Sequence, residues 1–339
     1  MAAGGGWAPG AALRATRAVL RVGGPGARDF LQGLVTNDVA RGLAGAGPGP
    51  GPGAGAGGDG AAVYAGVLNG RGRFLHDLVL FGAGSVERRL GLPAGSAGGD
   101  EAVLADVPAW SAGALVRLLR MYRLRRPVEV DDVSADFTVW QLCPPEDGAA
   151  APRPAAAGAA AWFPDPRLPA LGFRALVPAG EVPPGGAAGG GDCGGFQALR
   201  YALGVAEGDR EMPSGEALPL ECNLDALNGV SYKKGCYVGQ ELTARTHFKG
   251  VIRKRLMPVT LSGGGASPGD AVRLAGGGRR VGKLLAADDG GRGLALLRLR
   301  PVLEAAARGE SCVVEGSGAL LAARRPEWWP GGWGHEEDG

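Results

Sequence analysis

Polar and apolar positions alternate over short stretches in the first 250 residues, and these stretches are separated by runs with helical spacing. Ala18–Val22 predicts a strand. Pro25 opens a helix whose Phe30, Leu31 and Leu34 share one face. Two strands, Val63–Leu68 and Phe74–Phe81, flank Asn69-Gly70-Arg71-Gly72-Arg73, a hairpin signal with glycine where a positive φ is needed. Leu115, Leu118, Leu119 and Tyr122 predict a helix over Ala109–Tyr122. Strands at Val128–Val130 and Phe137–Leu142 follow, and Phe196–Leu203 resumes helical spacing. Gly42–Gly60, Glu146–Ala161 and Val182–Gly195 are rich in Gly, Ala and Pro and read as loose surface loops. This mixture predicts an α+β region over residues 18–245.

After Gly250 the pattern changes. Val251–Leu261, Ala271–Leu274, Arg279–Ala286, Gly293–Leu299, Ser311–Glu315 and Ala319–Ala323 are short strand candidates separated by glycine-rich turns. Regular short strands of this kind predict a small antiparallel β-barrel over residues 246–325. A tail at 326–339 carries Trp328, Trp329 and Trp333, and either docks on the body or is free.

Composition narrows the chemistry. The 339 residues include 64 Gly and 25 Pro, but these cluster in patches between ordinary apolar runs, so the chain reads as globular. A net charge of +2 gives no strong steering toward nucleic acid or acidic membranes. The basic run Arg117, Arg120, Arg123, Arg125 and Arg126 lacks interleaved aromatics and reads as a solvated helix end. No apolar run approaches the roughly 18 residues of a membrane span. The five cysteines are odd in number, widely spaced and form no C-x-x-C, which argues against a disulfide framework and an all-protein zinc site. The start of the chain holds Arg14, Arg17 and Arg21 and no acid before Ala27. Residues 1–17 fit a matrix-targeting segment, and equally a glycine-rich tail leading into the first strand.

The sharpest chemistry lies in Lys233-Lys234-Gly235-Cys236-Tyr237-Val238-Gly239-Gln240-Glu241. Gly235 is expected to take a backbone conformation that residues with a Cβ avoid, leaving the sulfur unshielded. Lys233 and Lys234 are expected to favour the thiolate, which is both nucleophile and metal ligand. Arg245, His247 and Lys249 follow closely. The plainer alternative is a tight loop around a buried structural cysteine.

Lys234-Gly235-Cys236-Tyr237-Val238-Gly239-Gln240-Glu241 resembles the K-G-C-Y-x-G-Q-E signature of the YgfZ-type branch of the glycine-cleavage T-protein superfamily. Phe30–Asn37, Leu68-Asn69-Gly70, Tyr122–Arg126, Leu218–Glu221, Thr243–His247 and Gly250–Arg255 extend the resemblance toward the mitochondrial members, late-acting iron–sulfur assembly factors. The resemblance implies a folate-binding-type fold with a central pocket, for which Asn37, Asn69 and Asp77 are the candidates. It also implies a role in making [4Fe–4S] proteins in the mitochondrial matrix, with an A-type iron–sulfur carrier and client [4Fe–4S] proteins as partners. On this basis Cys236 is the expected ligand of a transient [2Fe–2S] or [4Fe–4S] cluster shared with the partner, supported by Lys234, Gly235, Tyr237, Gly239, Gln240, Glu241 and Arg245.

The enzyme branch transfers an aminomethyl group to tetrahydrofolate, and two departures argue against that activity here. The T-protein's Asp-Asp pair is His76-Asp77, and its pterin-binding R-L-E-A-G glutamate falls at Ala202 within Arg200-Tyr201-Ala202-Leu203-Gly204. An alanine cannot accept hydrogen bonds from a pterin through its side chain, so weak tetrahydrofolate binding at best is expected. Asp77 reads as an acid by a strand pair, solvated or hydrogen-bonded, and His76 as a structural histidine. A folate-dependent one-carbon transferase and a tRNA-binding or modification factor are the rival functions.

Overall fold

The structure, a computed structural model, describes residues 11–13, 16–44, 61–144, 160–183, 193–275 and 278–333. Most of the expected targeting segment lies outside these residues, as do the middles of the three Gly/Pro-rich loops and the last six residues of the tail. Two compact units are interleaved along the chain. The first holds Met1–Val67, His76–Phe196 and Leu227–Val238; the second holds Leu68–Leu75, Gln197–Ala226 and Gly239–Gly339. A single boundary between residues 245 and 246 therefore does not describe the chain. A hairpin tip and a stretch that begins inside the mid-chain helix, Gln197–Ala226, group with the barrel.

The first unit contains β1 (Ala11–Ala12), β2 (Arg17–Gly23), α1 (Ala27–Gln32), α2 (Val39–Leu43), most of the hairpin β3 (Val63–Leu68) and β4 (Phe74–Gly82), then α3 (Ala83–Leu90) and β5 (Val103–Pro108). It continues through α4 (Ala112–Arg123), β6 (Glu129–Asp132), β7 (Phe137–Leu142), β8 (Ala161–Pro164) and β9 (Phe173–Pro178). One sheet runs β3-β4-β5-β2-β6 and a second runs β1-β7-β9-β8. Period-two alternation sends Leu20, Val22, Leu78, Leu80, Val103 and Ala105 into a core with Phe30 and Leu31 of α1 and Leu115 and Leu119 of α4. The opposite face is buried too: Phe81 of β4 meets Phe163 of β8 with ring centroids 4.9 Å apart. Arg17 on β2 and Arg174 on β9 both pair with the buried Asp106 of β5, at 2.5 and 3.2 Å. A carboxylate taken out of water needs such partners, and here two guanidiniums supply them.

The basic run at the end of α4 is solvated as expected: Arg117, Arg120, Arg125 and Arg126 are exposed and Arg123 is half-buried. Two of its members also tie the helix end to the chain that follows: Arg120 donates to the Val130 carbonyl of β6 at 2.7 Å and Arg123 to that of Val128, just before β6, at 2.9 Å. Asp77 is not solvated: it is 1% exposed, and His76 is buried beside it.

The second unit takes up the rest of α5 (Cys193–Leu203), which begins three residues before its expected start, and adds α6 (Gly208–Glu211) and α7 (Gln240–Lys249). It then forms the closed barrel from β10 (Lys254–Ser262), β11 (Ala271–Leu274), β12 (Arg280–Ala287), β13 (Arg292–Arg298), β14 (Cys312–Val314) and β15 (Leu320–Ala323), with α8 (Leu299–Ala307) inserted. All six expected barrel strands are present. Met257, Val272, Leu284, Leu297, Val314 and Leu321 fill its interior. The tryptophans dock: Trp329 is 3% exposed within the barrel core, and Trp328 Nε1 donates to the Leu203 carbonyl at 2.8 Å. The Arg255 guanidinium lies over the Trp333 ring.

Candidate functional site

In the first unit, the segment leading to Cys236 lies along Gln32–Asn37, the end of α1 and the turn after it. A helix end leaves carbonyls without partners inside the helix. Lys234 supplies them: its Nζ donates to the carbonyls of Gln32, Val35 and Asn37 at 2.6, 2.7 and 2.8 Å. Three diverging acceptors around one ammonium use all three of its N–H groups. Burial draws the Lys234 pKa down to about 8, with Asp38 opposing that pull. The three carbonyls likewise favour the charged form. The ammonium also sits 5.1 Å from the ring centroid of the buried Tyr237.

Thr36 extends the seam. Its hydroxyl donates to the Gly229 carbonyl at 2.5 Å and accepts from Gly66 N–H, while its carbonyl accepts from Ser231 N–H at 3.0 Å. Val238 N–H donates to the Gly33 carbonyl at 3.1 Å. Asn37 donates to the carbonyls of Tyr64 and Asn228, and its own side-chain oxygen accepts from Asp38 N–H. Asn37 is thus a strut of this seam. Residues 32–37 of the first motif and 234–238 of the second fold against each other, a pairing that their separate spacings did not reveal.

Between these clamps, Gly235 and Cys236 are exposed. Lys234 fixes the segment, its three donors committed to backbone carbonyls. The expectation for Gly235 is corrected. It does not have a positive φ, and a Cβ there would meet nothing within 4 Å.

The glycine that the backbone requires is Gly239, in the second unit, at φ +81° and ψ 7°, where it is the N-cap of α7. A Cβ on Gly239 would collide with the Asn69 carbonyl oxygen and come within 2.9 Å of Leu68 Cβ. Asn69 shapes the hairpin tip, its side-chain oxygen accepting from Arg71 N–H at 2.9 Å and Arg73 N–H at 3.0 Å. Asn69 is therefore a turn former. Gly239→Ala is expected to cost about 2–4 kcal/mol through left-handed strain plus overpacking, measurable as a lower denaturant midpoint at unchanged slope. On α7 the remaining candidates are spread out: Gln240 is half-buried, whereas Glu241 in the first turn and Arg245 are exposed.

Exposure separates Cys236 from the other described thiols. Cys222 and Cys312 are buried, and burial raises the Cys312 pKa. Burial, with Asp165 adding to it and Arg174 opposing, raises Cys143 to about 11. At limiting iodoacetamide, Cys236 is therefore expected to alkylate ahead of Cys143, Cys222 and Cys312 in mass-spectrometric labelling.

The chain has an aminomethyltransferase-like fold. The crystal structure of the glycine cleavage system aminomethyltransferase T from Bartonella henselae superposes with a TM-score of 0.63 over 96% of this chain and 87% of that one. At 14% identity this likeness concerns the fold. A family model for the C-terminal β-barrel domain of CAF17 matches residues 253–331.

The human iron-sulfur cluster assembly factor IBA57, mitochondrial, is 41% identical over 335 residues, spanning 93% of this chain and 83% of the human protein. The mouse counterpart is 39% identical over 331 residues, and the homolog of Mycosarcoma maydis 36% over 257 residues. The chain belongs to the IBA57 family of mitochondrial iron–sulfur cluster assembly factors.

Proposed function

We propose that this chain is an assembly factor for [4Fe–4S] proteins of the mitochondrial matrix, and that Cys236 lends one thiolate to a [2Fe–2S] or [4Fe–4S] cluster shared transiently with an A-type iron–sulfur carrier. The observation that carries this reading is the exposed thiol on a segment whose neighbours are fixed by Lys234, Thr36 and Val238. A ligand held this way reaches a partner's cluster without local unfolding, and little ordering cost opposes its binding. The names of the relatives, mitochondrial iron–sulfur cluster assembly factors, support the same role.

A [2Fe–2S] centre is usually held by four protein ligands, so one cysteine implies a partner or a small thiol for the rest. On binding, the Cys236 thiol releases its proton and its sulfur takes an iron coordination position that another ligand vacates. The cluster is cargo, passed on to client [4Fe–4S] proteins, and the role involves no aminomethyl transfer. Ala202, which stands at the pterin-binding position, is exposed and offers no side-chain acceptor.

The test is anaerobic size-exclusion chromatography of the chain mixed with cluster-loaded carrier, followed at cluster wavelengths. Co-elution of both proteins with the cluster absorbance is the expected result. Cluster absorbance that stays with the carrier alone overturns the reading.

A further inference from the structure

Within the second unit, the hairpin tip, the segment Leu218–Glu221, α7 and the start of β10 enclose a cavity of about 390 Å³. This lies in the size range of small-molecule sites. None of the residues assigned to cluster handling lines it. Leu218, Pro219, Leu220, Leu242, Val251 and Ile252 make its apolar walls. Its polar lining is lopsided: Arg253, Lys254 and Arg298 are cationic, and Glu221 is the acid among them.

Lys254 and Arg298 are directly opposed on the antiparallel strands β10 and β13, so their side chains leave the same face of the sheet. Like charges placed directly opposite destabilise a strand pair. Both are half-buried, and among the described residues neither side chain makes a hydrogen bond or an ion pair within 4.0 Å. One carboxylate, Glu221, faces the three cations of the lining; burial pushes its pKa upward, and Lys254, Arg73, Arg255 and Lys283 pull it down. Thr243 also lines the cavity, and its buried hydroxyl has no hydrogen-bond partner among the described residues. A repelling cation pair kept beside apolar walls has a physical rationale if an anion normally lies between them.

We propose that this cavity binds a small organic anion, with its carboxylate or phosphate between Lys254 and Arg298 and its apolar body against Leu218, Leu220 and Ile252. A planar guanidinium and a point-charge ammonium together suit either headgroup. Apolar walls favour an organic ligand over an inorganic ion, because a bare ion leaves them uncovered. The site is independent of the cluster reading: it uses other residues, and its test contains no iron.

The probes are hexanoate and hexyl phosphate, compared with hexanol and inorganic phosphate, by isothermal titration of the full chain. Both amphipathic anions are expected to bind at least about tenfold more tightly than hexanol or inorganic phosphate, and the tighter of the two identifies the headgroup. Lys254→Met and Arg298→Met should each weaken binding about tenfold or more. Arg273→Met, which removes an exposed barrel arginine paired with Glu315 at 2.7 Å, should leave it unchanged. In the wild-type chain, methyl resonances of Thr243, Thr246 and Ile252 should shift saturably with hexanoate or hexyl phosphate, a readout that does not depend on the variants folding. Binding no tighter than that of hexanol, affinity unaltered in the Lys254→Met/Arg298→Met double variant, or unmoved methyl resonances would each overturn the proposal.

Discussion

Cys236→Ser is expected to leave the fold intact and to abolish the cluster-bearing complex with an A-type carrier. The two halves of that expectation have separate causes. Cys236 is exposed, so replacing sulfur by oxygen opens no cavity and strands no buried group. The clamps on either side, Lys234 on the carbonyls of Gln32, Val35 and Asn37 and Val238 on Gly33, involve no atom of the thiol. Thermal unfolding should therefore change by less than about 0.5 kcal/mol.

The ligand chemistry, in contrast, is lost. A serine hydroxyl is neither deprotonated near neutral pH nor a soft donor, whereas iron–sulfur centres are held by thiolates. In anaerobic chromatography with cluster-loaded carrier, the absorbance at cluster wavelengths should leave the position of the complex. A serine variant that still co-elutes with the carrier and full cluster absorbance would show that Cys236 is not the ligand. A wild-type chain that alone holds a stable cluster at full occupancy would remove the argument for sharing.

Much of the fold was legible because its periodicity is regular. The barrel strands are short, alternate cleanly and are separated by glycine turns, and all six appear near their expected bounds. What escaped lacks a period. α7 is polar nearly all round, with Thr243 its one buried residue, so no apolar stripe announces it; its start is set by Gly239 against the hairpin tip. β5 is buried along its whole length and carries Asp106 in its middle, a residue that argues against a strand until Arg17 and Arg174 arrive from distant positions. β8 and β9 flank a buried pair, Arg167 on Asp165, which reads in sequence as a polar loop.

At the site, the partners of Lys234 are not legible from local sequence. A lysine two residues from a cysteine looks like its activator. The carbonyls that bind it belong to residues about 200 positions earlier in the chain. Only the folded backbone brings them to Lys234. In the same way, Gly235 looked like the conformational glycine because it touches the cysteine, whereas close backbone approach imposes that requirement on Gly239.

Lys234→Met should destabilise the first unit by about 3–5 kcal/mol, a large effect for one side chain. The methionine keeps the length and the apolar stem but supplies no donor. The Gln32 carbonyl at the end of α1 and those of Val35 and Asn37 in the turn after it then lose charge-assisted bonds of 2.6 to 2.8 Å. Val35 is fully buried, so water does not readily replace the ammonium there. Lys234→Arg should recover little: a planar fork serves two parallel acceptors, not three converging on one point. The consequence should reach beyond stability, because the same contacts hold the approach to Cys236. In Lys234→Met, hydrogen exchange at Val238 N–H, bonded to Gly33 in the wild type, should accelerate well before global unfolding. The cluster-bearing complex should weaken although Cys236 is unchanged, since the thiol must then be ordered at the moment of binding. Denaturant unfolding, amide exchange and anaerobic chromatography on the same variant measure the three effects. An unfolding midpoint equal to wild type would mean that the three carbonyls find other donors and that Lys234 is not the clasp of this segment.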